Sequence, residues 1–353
     1  GWTTGLELTL KRERRMRKLE RYLGIVLLVL LTGMVCSCGK ERLSDTSSER
    51  VNVILNFDTR VGDSESVAID EGEGIRTLRI IITDENNQVI DNIWRDYSSE
   101  GTLTASKTLT IMGLEAGIKK FYVVINEKSI GLFNYLNGIN TVLPSGFTSK
   151  VIQNTTTDTY FPRMASDIKD AGVPATGMIE VNLNETDNTF TIPCVHTVIK
   201  VELNIKNLMN VPCPISAINF GSFVPNATYL FDDPDAEGKS VNLPEGTTIS
   251  NLQYDEPNGF TGISLPANMS NFQKVLVFYM FEPKVDTSED FSIALTAAGF
   301  ESLSVAKSFI SQTEIPRNSL LRINATIDLQ NEVTIDYKVL PWDKATVKVP
   351  GFN

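Results

Sequence analysis

Four cysteines, one histidine and a scatter of arginines carry most of the covalent chemistry open to this chain of 353 residues. Cys36 and Cys38 fall in V-C-S-C at residues 35–38. Ahead of them stand a basic segment with Arg17, Lys18 and Arg21 and an apolar run from Leu23 to Val35. That run is short of the about 20 apolar residues needed to span a bilayer. A basic segment followed by a short apolar one reads instead as a secretory signal. Val35 stands three before Cys38 and the small Ser37 just before it, the pattern of a bacterial lipobox. Cys36 fits less well, because Val35 directly precedes it. The expectation is a signal peptide ending at residue 37, with Met16 as its natural start and no usable pattern in residues 1–15. Acyl chains on the Cys38 thiol would then anchor the chain in lipid. An ordinary secretory signal with incidental cysteines is the competing reading.

The remaining reactive groups exclude more than they suggest. Cys194 and Cys213 are expected as two buried free thiols, with a disulfide as the alternative in an oxidising compartment. His196 is the only histidine, so histidine metal sites and His-dependent triads have almost nothing to build on. It lies in C-V-H-T-V-I-K, a strand pattern in which a packed or rim histidine is expected rather than a catalytic one. No G-x-S-x-G, P-loop, H-E-x-x-H or C-x-x-C occurs. D-D-P-D-A-E-G at 232–238 has the carboxylate density of a calcium loop. Twelve along from Asp233, however, stands Pro244 where a bidentate glutamate is required, so a solvated turn is expected there. Carboxylates abound, but no pair stands out in a Gly- or aromatic-rich loop. The expectation is a non-enzyme with no cofactor and no metal. A net charge of −11, carried mostly outside the basic leader, argues against nucleic acid as a partner.

The elements that carry these residues are strands. Residues 39–50 are polar and unpatterned, as a tether is. Beyond them period-two segments recur, among them 75–83, 119–126, 178–184, 198–205, 275–281 and 321–327, with turn signals between. The best helical candidate is N-E-K-S-I-G-L-F-N-Y-L at 126–136. The chain is expected to be all-β, with two sandwich domains at 51–185 and 186–353 meeting near the polar stretch 184–188.

The two ends of that body match. In V-N-V-I-L-N-F-D-T-R-V-G-D-S (51–64), Val51, Val53, Leu55 and Phe57 form one apolar stripe on a strand. The loop-like residues after it leave Arg60 accessible as a protease site. At the C-terminus Val333, Ile335, Tyr337 and Val339 form a second stripe of the same kind. Pro341-Trp342-Asp343 interrupts it, and Ala345, Val347 and Val349 resume the alternation. Two segments of one chain could thus fill the same kind of slot in a sheet. A slot emptied of the first could be filled by the second from a neighbouring molecule, by strand addition. Joined head to tail, such contacts build a filament. The plainer reading is two ordinary edge strands.

The chain resembles the fimbrillin family, the type V pilins of Bacteroidales bacteria. The resemblance rests on the order of V-C-S-C, V-N-V-I-L-N-F-D-T-R-V-G-D, I-R-T-L-R-I-I-I-T-D, A-G-I-K-K-F-Y-V-V-I-N, C-V-H-T-V-I-K-V-E-L, I-P-R-N-S-L-L-R-I-N-A-T-I and V-T-I-D-Y-K-V-L-P-W-D. It implies two tandem transthyretin-like β-sandwich domains behind a lipoprotein signal peptide, and a surface position on the outer membrane and in a fimbrium. It also implies cleavage by an arginine-specific protease between Arg60 and Val61, which frees the first strand at 51–60. Donor strands at 332–350 of another subunit would replace it, with Trp342 at their bend. The implied partners are copies of itself, related pilus subunits, the protease and, before the cut, outer-membrane lipid through acylated Cys38. The implied role is adhesion and biofilm formation. An uncleaved basal anchor, a tip subunit, and a surface lipoprotein that binds glycan or a host protein are the alternatives.

Overall fold

The structure, a computed structural model, describes residues 50–59, 72–184, 188–232 and 240–342. Its first half supplies β1 (Arg50–Asp58), β2 (Thr77–Asp84), β3 (Val89–Asp96), β4 (Ser106–Glu115), β5 (Gly117–Ile125), β6 (Ala175–Leu183) and β7 (Thr189–Pro193). The second half supplies β8 (Val198–Asn207), β9 (Cys213–Pro225), β10 (Ile249–Tyr254), β11 (Gln273–Phe281), β12 (Ser292–Ala297), β13 (Ser319–Ile327) and β14 (Val333–Pro341). The described residues are predominantly strand, so the chain is all-β.

Two pairs of sheets result. In the first pair, a three-stranded sheet ordered β4-β1-β7 faces a five-stranded sheet ordered β6-β5-β2-β3, with the short strand Val195–His196 added beyond β6. Between them lies a core of Val53, Leu55, Phe57, Leu78, Ile80, Ile82, Phe121 and Val123 with their neighbours. In the second pair, a sheet ordered β14-β13-β8-β11, closed by Arg163–Met164, faces one ordered β10-β9-β12. Ile199, Val201, Leu203, Phe220, Phe278 and Leu321 belong to the core they enclose. A third apolar cluster joins the outer face of β2 and β5, through Ile81, Tyr122 and Val124, to Val198, Tyr279, Phe281 and Trp342. Residues 130–173, among them Leu136, Phe147 and Phe161, and Leu230 and Phe231 complete it.

This third cluster explains why some strands do not alternate as a half-exposed strand would. β2 is buried along seven of its eight residues because both of its faces are covered. Its one large polar side chain, Arg79, is fully buried and forms a 2.7 Å ion pair with Glu127. β8 is similar: its polar face carries Lys200, Glu202 and Asn204, all buried and all bonded.

The helical expectation at 126–136 resolves into two short pieces, a 3-10 turn at Glu127–Ile130 and a helix at Phe133–Asn137. Gly131, at φ 68°, separates them. A left-handed backbone there ends the first turn and blocks one continuous helix. The polar stretch at 184–188 separates β6 from β7, and residues 185–187 lie outside the described residues. The chain crosses from the first pair of sheets to the second at Thr197, between Val195–His196 and β8.

Candidate functional site

β1 is a short strand at the start of the described body, yet it occupies the middle of its sheet. It pairs antiparallel with β4 from Arg50↔Glu115 to Asp58↔Ser106, with a bulge between Val51 and Val53. On its other side it pairs parallel with β7 from Ile54↔Thr189 to Asp58↔Pro193. Val53, Leu55 and Phe57 are fully buried and Val51 is 7% exposed, so the stripe faces the core without a gap. The opposite face is wet: Ile54 is 40% exposed, and Asn56 accepts a hydrogen bond from the Thr108 hydroxyl (2.8 Å). Take β1 away, and β4 and β7 are left with a strand-wide gap, two rows of unpaired backbone groups and an apolar floor.

β14 is placed differently. Among the described residues it lies at the edge of its sheet, paired antiparallel with β13 alone, from Ser319↔Pro341 to Ile327↔Val333. Val333 is buried, while Ile335, Tyr337 and Val339 are half-buried against the second core. Among the described residues its outer backbone edge carries no neighbouring strand. The stripe at 333–339 is therefore seated in its own molecule.

Trp342 fastens the end of this strand. Its amide donates to the Asn318 carbonyl (2.9 Å). Its ring is 4% exposed and lies nearly parallel to two others, His196 at 4.0 Å between centroids and Tyr279 at 5.4 Å. The Lys200 ammonium lies 5.9 Å from the same ring, within cation–π range. The His196 ring is held in turn by Asn318, whose Oδ1 accepts from Nδ1 at 2.8 Å. Burial, reinforced by the Lys200 charge, lowers the His196 pKa to about 4 despite that hydrogen bond. The ring is thus a neutral stacking surface at ordinary pH.

The sequence missed the next ring of contacts. Glu73, at 8% exposure, accepts from the Lys200 ammonium (2.5 Å) and the Tyr279 hydroxyl (3.1 Å). These partners are 127 and 206 residues away along the chain, and no local pattern could announce them.

Chemistry is sparse elsewhere. Cys194 and Cys213 are free and buried, and burial raises both thiol pKa values, that of Cys213 to about 11. Among the described residues no three His, Cys, Asp or Glu side chains converge to hold a metal. An open depression beside Pro214–Ser216 and Phe260–Ser264 is lined by a single carboxylate, Glu256. Cys38, Arg60, Val61, Val347, Val349 and the acidic stretch 233–238 lie outside the described residues.

No protein-family model and no curated protein sequence matches this chain. Solved structures do. A candidate cell adhesion protein from Parabacteroides distasonis superimposes with a TM-score of 0.56 at 15% identity, over 85% of this chain and 98% of that one. The tip fimbrial protein Mfa3 from Porphyromonas gingivalis, solved with a C-terminal truncation, gives 0.55 at 13% identity, over 83% of this chain and all of that one. The chain thus shares its fold with fimbrial and candidate cell adhesion proteins of these bacteria, in agreement with the resemblance drawn from its motifs.

Proposed function

We propose that this protein is a structural pilus subunit, non-enzymatic, that polymerises by exchange of strands. It travels to the outer membrane as a lipoprotein acylated at Cys38. An arginine-specific protease cuts between Arg60 and Val61. The freed segment 51–60 then gives way to residues 332–350 of another subunit, and the filament serves adhesion and biofilm formation.

The observation that carries this reading is the interior position of β1. It is bonded on both sides and supplies a complete apolar stripe, yet it belongs to the first short stretch of the body and is followed at once by Arg60. Four buried apolar side chains at about 1.5–3 kcal/mol each make the stripe worth about 6–12 kcal/mol, as much as the about 5–15 kcal/mol that stabilises a whole domain. An empty slot would thus unfold the first pair of sheets. A cut strand stays until another strand takes its place.

The test is the N-terminus of the protein in surface-shed material, read by mass spectrometry. Chains beginning at Val61 in high-mass assemblies are expected. An acylated Cys38 terminus in the assembled material would instead make this an uncleaved anchor or tip subunit. The same terminus on monomers alone would leave a surface-binding lipoprotein.

A further inference from the structure

A tail meant for a neighbour must first be released by its own molecule, and here the tail is firmly held. Two sets of contacts join that hold to the segments flanking residues 60–71. Upstream, Asp58 closes β1 and accepts a hydrogen bond from the Cys194 amide (3.0 Å). Two residues beyond Cys194, His196 supplies the ring stacked on Trp342. Downstream, Glu73 binds the Lys200 ammonium and the Tyr279 hydroxyl, the cation and the ring that also meet Trp342. Glu73 and Lys200 are each at most 9% exposed, so solvent screens their pairing little.

We propose that β1 and Glu73, acting through His196, Lys200 and Tyr279, lock Trp342 and so hold the C-terminal strand in its own molecule until β1 departs. An intact subunit is then a poor donor as well as a closed acceptor, and the departure of its β1 prepares both of its ends. The purpose of the lock rests on the polymerising-subunit reading, but the lock itself is a property of a single uncut chain. Coupling between two sites is reciprocal. Unseating Trp342 therefore loosens β1 by the factor by which loss of β1 loosens Trp342.

Amide hydrogen exchange on the uncut full-length monomer tests this without any assembly. In Trp342→Ala the amides of β1 should exchange roughly tenfold faster, a typical coupling strength, while those of β3 keep their rate. Tyr279→Phe keeps the stacked ring and removes only the hydroxyl bonded to Glu73. It should speed exchange at the Trp342 amide, again with β3 unchanged. Unchanged β1 rates in the first variant overturn the proposal, and so does an unchanged Trp342 amide in the second. A uniform rise in β1 and β3 also overturns it, because that is general loosening. None of these outcomes depends on whether filaments form, so the lock can fail while the pilus reading stands.

Discussion

At the scale of residues, His196 behaves as a pH-dependent strut. Its pKa is 6.5 when unperturbed and about 4 in the fold. Between those values the unfolded chain binds a proton that the folded chain does not. The contribution is therefore complete above pH 6.5 and is lost as pH falls towards 4, at about 1.4 kcal/mol per pH unit. Urea titrations at pH 7 and pH 5 should differ by about 2 kcal/mol, and His196→Gln should flatten the difference. Phe57→Ala should cost about 3–5 kcal/mol of stability in the uncut chain, measured in the same way, because its ring is wholly buried in the first core. The C-V-H-T-V-I-K pattern was enough to expect a packed or rim histidine, without choosing between them. It could not show that the ring packs on Trp342, since that partner is brought in by a different strand. Lys200 was harder still: nothing local in V-I-K-V-E-L-N-I shows that Glu73 and the Trp342 ring meet its ammonium.

Among the elements, β1 was the most legible, because four apolar residues at period two admit one burial pattern on a half-buried strand. Its place between β4 and β7 was not legible, since alternation records faces and says nothing about neighbours along the hydrogen-bonding direction. β2 broke the alternation rule for the same reason that β8 did, burial on both faces. The interior position of β1 leads to a specific expectation for limited proteolysis at Arg60. A cut monomer kept dilute should retain the peptide that ends at Arg60 in native mass spectrometry, and should lose it only when a synthetic 332–353 peptide is added. Loss of the peptide on cutting alone, with the remainder still folded, would mean that β1 contributes far less than its burial indicates.

For the whole molecule, an all-β chain was predictable from recurrent short alternating segments. The third cluster was not, since it is assembled from residues 130–173, both halves of the strand order and Trp342. The pilus reading makes one demand on the intact protein. Arg60→Ala should leave the fold and export unchanged and should accumulate monomers beginning at Cys38, seen by size separation of outer-membrane extracts. Normal filaments from that variant would place the cut elsewhere or remove it from assembly.

The two-sided pairing of β1 has a mechanical consequence. A strand gripped by β4 on one flank and β7 on the other, and pulled along its length, must break both ladders nearly together. An edge strand such as β14, pulled away from its single neighbour, gives up its bonds one after another, like a zip. If a neighbour's tail fills the slot of β1, tension along the filament loads that joint in shear. The fibre would resist fluid drag in the direction it is stretched, and would yield most easily where a strand can be peeled sideways.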